Sequence, residues 1–203
     1  MVMLYTLLAI GLYTPLSALA DLCGTAFLMQ KFSLNHGDAA QTSMMMYIGM
    51  AAGSLVLPWF CEKYHILNRG IQVCGFCLLI LMATILYAPA LDMLTMTLLL
   101  LGLGFFCGAE MMCFTGAVAY TTPSTSGLTL GVVNTLNMLG GALLQQLIGF
   151  GLDWQWSGAL SKKNIRLYST EEFVFALSVL LVVIFICCLA SFGLKKKINS
   201  HLG

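Results

Sequence analysis

Two acidic residues, Asp21 and Glu110, lie well inside apolar stretches of this 203-residue chain. A carboxylate near the centre of a bilayer costs at least ~2.5–3.5 kcal/mol, so such a group usually faces a protein interior or a watery cavity. No basic residue lies inside the same stretches to pair with either acid. A carboxyl group that is alternately protonated and ionised can couple a proton gradient to transport. We therefore predict that both acids face one wet interior and lie on a proton or solute pathway.

Polar side chains recur every four residues around Asp21. Tyr13, Ser17 and Thr25 share this spacing, which places all four on one face of a helix. Pro15 should kink that helix and release a backbone carbonyl near the same face. We predict that this face lines the pathway.

A second polar row consists of Asn137, Gly141, Gln145 and Gly149, with Asn134 one turn earlier. Amide side chains inside a membrane either bond a solute or join two helices, and joining helices is the commoner role. Both interpretations remain open from the sequence. Asn134, Asn137 and Gln145 are therefore kept as candidate pathway residues.

The composition predicts that lipid surrounds most of the chain. Apolar residues make up 60% and charged residues 8%, whereas a soluble domain carries about 25% charged residues. The net charge of +1 and the lack of a basic stripe interleaved with aromatics argue against a nucleic-acid partner. The expected surroundings are membrane lipid.

Six apolar stretches are long enough to cross a bilayer core, which needs about 20 residues per helix. The sequence therefore predicts an all-α membrane protein with six transmembrane helices in a single domain, residues 1–203. A Ser169–Glu172 capping box should open the sixth helix. The predicted spans are residues 4–30, 39–61, 70–91, 93–120, 127–152 and 173–194.

The lysines at 195–197 follow the last span directly, which predicts a cytoplasmic C-terminus by the positive-inside rule. An even number of spans then places both termini in the cytoplasm. The predicted location is the plasma (inner) membrane, as a multi-pass protein.

The cysteines and histidines do not predict an enzyme. All eight cysteines fall in or beside apolar stretches, and Cys74 and Cys77 form a C-x-x-C without a nearby histidine or carboxylate. Buried cysteine usually acts as a small apolar residue. His36, His65 and His201 are dispersed in loops and tail. We predict no catalytic residue, no metal and no cofactor.

An offset of 91 residues aligns the second span with the fifth. Because three spans separate the copies, they would run in opposite directions across the membrane, as in secondary transporters. The sequence thus predicts an inverted three-plus-three repeat, approximately residues 1–92 and 93–197. The aligned pairs are Gly49 with Gly140, Ser54 with Gln145, Pro58 with Gly149, and Glu62 with Asp153.

Three stretches together resemble the C-terminal six-helix half of the major facilitator superfamily. Residues 53–63, with Glu62 and Lys63, followed by Arg69, are similar to that family's cytoplasmic loop motif, although Pro58 replaces the usual Gly and Glu62 the usual Asp. The glycine-rich residues 102–108 resemble the family's tenth helix. The eleventh helix is matched by Pro123, Gly127, Gly131, Asn134, residues 139–143, Gln146, Gly149 and Asp153.

The resemblance implies half of a secondary active transporter that moves a small polar solute by alternating access, with proton symport as the expected coupling. It implies a missing N-terminal six-helix half, so we expect a fragment, a split gene or an isolated domain, with a homodimer as a further arrangement. Two alternatives stay open. One is a non-transporting scaffold or receptor-like protein that keeps the fold, and the other is half of a drug exporter.

Overall fold

The computed structural model describes residues 1–89, 91–161 and 164–194. Within them, six helices are long and apolar enough to cross a membrane, which confirms the predicted number of spans. The lysines at 195–197, on which the predicted cytoplasmic C-terminus depends, lie outside the described residues. Spans 1 to 6 run over Val2–Phe32, His36–Lys63, Leu67–Tyr87, Met93–Val118, Pro123–Gln155 and Thr170–Ser191.

Three spans end earlier than the sequence predicted, and span 4 does so by two residues, at Val118. Span 3 ends at Tyr87 instead of residue 91, because Ala88 is extended before Pro89, as steric conflict with a following proline favours. Span 6 ends at Ser191 instead of residue 194, followed by a turn at Phe192 and Gly193.

Span 1 is irregular in its middle. It consists of an α-helix over Val2–Leu16, a π-helix over Ser17–Cys23 and a second α-helix over Gly24–Phe32. Proline has no N–H to donate, and the Thr14 hydroxyl bonds the Gly11 carbonyl that Pro15 leaves without its helical donor, at 3.3 Å. The predicted disturbance therefore takes the form of a π-helix that follows the proline.

Span 4 is interrupted at Gly108 and Ala109, between α-helices Met93–Cys107 and Glu110–Val118. Its glycines allow span 2 to approach closely. A methyl group at Gly104 would lie 2.0 Å from the Met46 carbonyl oxygen, and one at Gly108 would lie 2.4 Å from the Ser54 nitrogen. Only glycine fits at either position.

Span 1 contacts each of the other five spans. Span 2 contacts span 4 most extensively, span 5 packs on span 1, and span 3 packs on span 6. Of the residues in the apolar stretch of each span, 67% are buried in span 1, 22% in span 2 and 17% in span 5. Spans 2 and 5 thus leave the most surface uncovered by this chain.

The predicted capping box opens the α-helix of span 6, Thr170–Ser191. The Ser169 hydroxyl accepts the Glu172 backbone N–H, and the Glu172 carboxylate accepts the Ser169 N–H at 2.7 Å. The preceding connection is tied to span 5, since Arg166 and Tyr168 both donate to the Asp153 carboxylate.

Candidate functional site

A buried carboxyl–amide pair joins spans 4 and 5. Asn137 Nδ2 donates to Glu110 Oε1 at 2.5 Å. Glu110 is 2% exposed and Asn137 is fully buried. Their remaining oxygens, Glu110 Oε2 and Asn137 Oδ1, are buried without a hydrogen-bond partner among the described residues. This pair of side chains thus contains two hydrogen-bond acceptors that receive no donor.

The break in span 4 positions Glu110. The chain turns at Gly108 and Ala109, and Glu110 is the first residue of the helical segment that follows. Its neighbours Cys107, Met112 and Cys113 on the same span are fully buried. The carboxyl group therefore sits in an apolar environment, where an uncompensated charge is costly.

A second contact ties span 5 to the π-helix of span 1. Gln145 Nε2 donates to Ser17 Oγ at 2.8 Å and to the Ser17 carbonyl oxygen at 3.1 Å. Gly141 permits the close approach, since a methyl group there would lie 3.2 Å from the Tyr13 ring and 3.3 Å from Ser17 Oγ. The row Asn137, Gly141 and Gln145 therefore packs inward, while the space beside Gly149 is open.

The other acid, Asp21, lies on the π-helix and is exposed. The Tyr47 hydroxyl, from span 2, donates to Asp21 Oδ1. The sequence did not identify Tyr47, because it lies next to three methionines and shares no spacing with the other polar residues. Only the packing of span 2 on span 1 reveals it.

The surroundings of the two acids differ, because Asn137 and the packed interior cover Glu110 while Asp21 remains exposed. One common wet interior is therefore not the arrangement seen here. Tyr13 of span 1 is half-buried, and a methyl group at Gly141 would lie 3.2 Å from its ring.

Two predicted pathway residues stand apart from these contacts. Asn134 is exposed on span 5, whereas Asn137, one turn later, is buried. Thr25 is half-buried on the last segment of span 1. The candidate site thus comprises Tyr13, Ser17, Asp21, Tyr47, Glu110, Asn137 and Gln145.

The residues of the predicted loop motif, Glu62, Lys63 and Arg69, are exposed. The Lys63 ammonium lies over the rings of Trp59 and Tyr64, at 5.1 and 5.8 Å from their centroids. Within the described ranges, the one ion pair joins Arg166 and Asp153. Lys63 therefore packs on aromatic rings in this conformation instead of pairing with Glu62.

No protein-family model matches the chain, and a comparison with curated proteins finds no match. The class of protein that the fold defines is an all-helical integral membrane protein with six candidate spans. A more specific assignment depends on the site.

Proposed function

We propose that this chain is one six-helix half of a secondary active transporter that moves a small polar solute, coupled to protons, by alternating access. The observation that carries the proposal is the buried Glu110–Asn137 pair with its two unpartnered oxygens.

The donors and acceptors of this pair favour a protonated Glu110. An ionised carboxylate only accepts hydrogen bonds, so it leaves both Glu110 Oε2 and Asn137 Oδ1 without a donor. A buried acceptor without a partner costs about 1–3 kcal/mol. A proton on Oε2 makes that atom a donor, and Asn137 Oδ1 is the buried acceptor that lacks one. One proton on Glu110 would therefore remove one of the two unpartnered acceptors and supply a donor of the kind that Asn137 Oδ1 lacks.

The position of the pair suits a proton carrier. Protonated Glu110 can hold spans 4 and 5 together through Asn137, whereas ionised Glu110 needs water or a cation and favours a conformation that opens to solvent. Access from alternate sides of the membrane would then be linked to the loading and release of the proton.

Matching contacts between spans support an inverted repeat. A methyl group at Gly49 would lie 2.0 Å from the Leu101 carbonyl oxygen. The repeat relates Gly49 to Gly140, 91 residues later, and Leu101 to Ile10, 91 residues earlier. These two counterparts are also in contact, because a methyl group at Gly140 would lie 2.6 Å from the Ile10 side chain. The contact of span 2 with span 4 thus has a counterpart between spans 5 and 1.

The same shift relates a second pair of contacts. Ser54 of span 2 packs against Gly108 of span 4. Their counterparts are Gln145 and Ser17, which are joined by a hydrogen bond. Agreement at two separate contacts supports repeats of approximately 1–92 and 93–197, an organisation typical of secondary transporters.

The exposure of the spans supports the proposal that this chain is one half of a larger transporter. Spans 2 and 5, which the repeat relates, are the least buried in the described part of the chain. We place the complementary N-terminal six-helix half against them, or a second copy of this chain if the transporter is a homodimer. We also place both termini in the cytoplasm and the protein in the plasma (inner) membrane.

Solute exchange and solute accumulation, measured separately in vesicles, test this function. Vesicles containing the chain and its complementary half are screened with small amino acids, organic acids and amines under an imposed pH gradient. Glu110→Gln keeps the side-chain shape but cannot carry the proton, so exchange should persist while accumulation is lost. Accumulation by Glu110→Gln at the wild-type level would contradict proton coupling through Glu110.

A further inference from the structure

We infer that Asp21 and Tyr47 form a binding site for the cationic group of an organic solute, such as an ammonium. This inference rests on the proposed function and specifies the class of its solute. The geometry that carries it is an exposed carboxylate on the π-helix of span 1, bonded by a tyrosine of span 2.

The charge of Asp21 favours a cation nearby. A carboxylate inside a membrane span costs at least ~2.5–3.5 kcal/mol unless it is paired or hydrated. The basic residues of the spans stand only at their ends, and Lys31 is already occupied by the Ile85 carbonyl oxygen at 2.8 Å. Since a protonated Glu110 is neutral, Asp21 would be the uncompensated negative charge within the length of the spans.

The carboxylate has room for a ligand. Tyr47 donates to Oδ1, and Asp21 Oδ2 has no hydrogen-bond partner among residues 1–89, 91–161 and 164–194. Tyr47 is 44% exposed, so the carboxylate is bordered by an accessible aromatic residue. A carboxylate beside aromatic rings is suited to an ammonium group, since ring faces attract cations.

The π-helix explains how Asp21 reaches this position. Such segments occur frequently at functional sites, because the wider turn redirects a side chain that an α-helix would place elsewhere. Here the first half of the segment is held by neighbouring spans, by Gln145 on Ser17 and by the Ser43 hydroxyl on the Leu19 carbonyl at 3.3 Å. The carboxylate is therefore presented by a positioned segment of backbone.

Another source of positive charge would be a basic residue of the complementary half. The two sources differ in one respect. A basic residue would occupy Asp21 in the assembled transporter, whereas a solute site remains open to added cations. The test therefore compares the chain alone with the assembled transporter.

Equilibrium binding of tetraphenylphosphonium to the chain in lipid nanodiscs tests the inference, with tetraphenylborate as the anion of the same shape. We expect saturable binding of the phosphonium, weakened about tenfold or more by Asp21→Asn, which corresponds to the loss of one strong charged contact. Tyr47→Phe should weaken it less, and the surface variant Glu171→Gln should bind like the wild type. Choline should displace the phosphonium, and its uncharged carbon isostere should not.

Three results would contradict the inference that this site binds a cationic solute. They are equal binding by Asp21→Asn, equal displacement by the uncharged isostere, and loss of phosphonium binding once the complementary half is assembled. The measurement needs no proton gradient, so its outcome is separate from that of the transport assay. Intact phosphonium binding together with an unaffected Glu110→Gln transporter would reject the proton mechanism and keep the cation site.

Discussion

Asn137 of span 5 donates a hydrogen bond to Glu110 of span 4, and both side chains are buried although each retains an oxygen without a partner. Such a pair is costly when one member is lost, because the other stays buried and unsatisfied. It therefore joins two spans, and in the proposed mechanism it responds to the proton on Glu110.

Asn137→Ala should destabilise the chain by about 1–2 kcal/mol. Hydrogen bonds between membrane helices average ~0.6 kcal/mol and reach ~1.7 kcal/mol, and the unpaired Glu110 adds to the loss. The free energy of unfolding in mixed detergent micelles measures this effect. Asn134→Ala is the matched control, since Asn134 is exposed one turn away, and its change should stay within about 0.5 kcal/mol. Equal losses in both variants would contradict a specific role for Asn137.

Gln145→Leu should loosen the π-helix of span 1. The substitution removes both hydrogen bonds to Ser17. Amide hydrogen exchange over Ser17–Cys23 in detergent should accelerate about three- to twentyfold, the range that corresponds to a bond between membrane helices. Gln146→Leu changes the exposed neighbour and should leave the exchange unaltered. The same acceleration in both variants would mean that Gln145 does not hold this segment.

Gly104→Ala should separate spans 2 and 4. A methyl group at Gly104 would meet the Met46 carbonyl oxygen, which is backbone and cannot move aside cheaply. Overpacking of this kind costs about 1–3 kcal/mol. Gly131→Ala is the control, because nothing lies within 4 Å of the position and alanine favours helix. The temperature of thermal unfolding should therefore fall for Gly104→Ala and not for Gly131→Ala. The reverse order would contradict the close contact of spans 2 and 4.

The sequence predicted the spans well because their number follows from composition and length, which are local properties. The capping box at Ser169 and Glu172 was also predictable, since its parts lie three residues apart. The pairings of the site were not. That Asn137 meets Glu110, and Tyr47 meets Asp21, depends on how four spans rotate and slide against one another, which no local spacing records.

The irregularity of span 1 was only half predictable. Pro15 indicated a disturbed helix, because proline removes one hydrogen bond. The π-helix over Ser17–Cys23 depends as well on Gln145 and Ser43, which come from spans 5 and 2. A local rule therefore found the position of the disturbance but not its form.

The infrared spectrum of the carboxyl groups tests the central claim most directly. The chain in nanodiscs near neutral pH should show the carbonyl stretch of a protonated carboxylic acid in an apolar environment. We predict that Glu110→Gln removes this band and that the surface variant Glu171→Gln retains it. An unchanged band in Glu110→Gln, or no such band in the wild type, would contradict a proton held between Glu110 and Asn137.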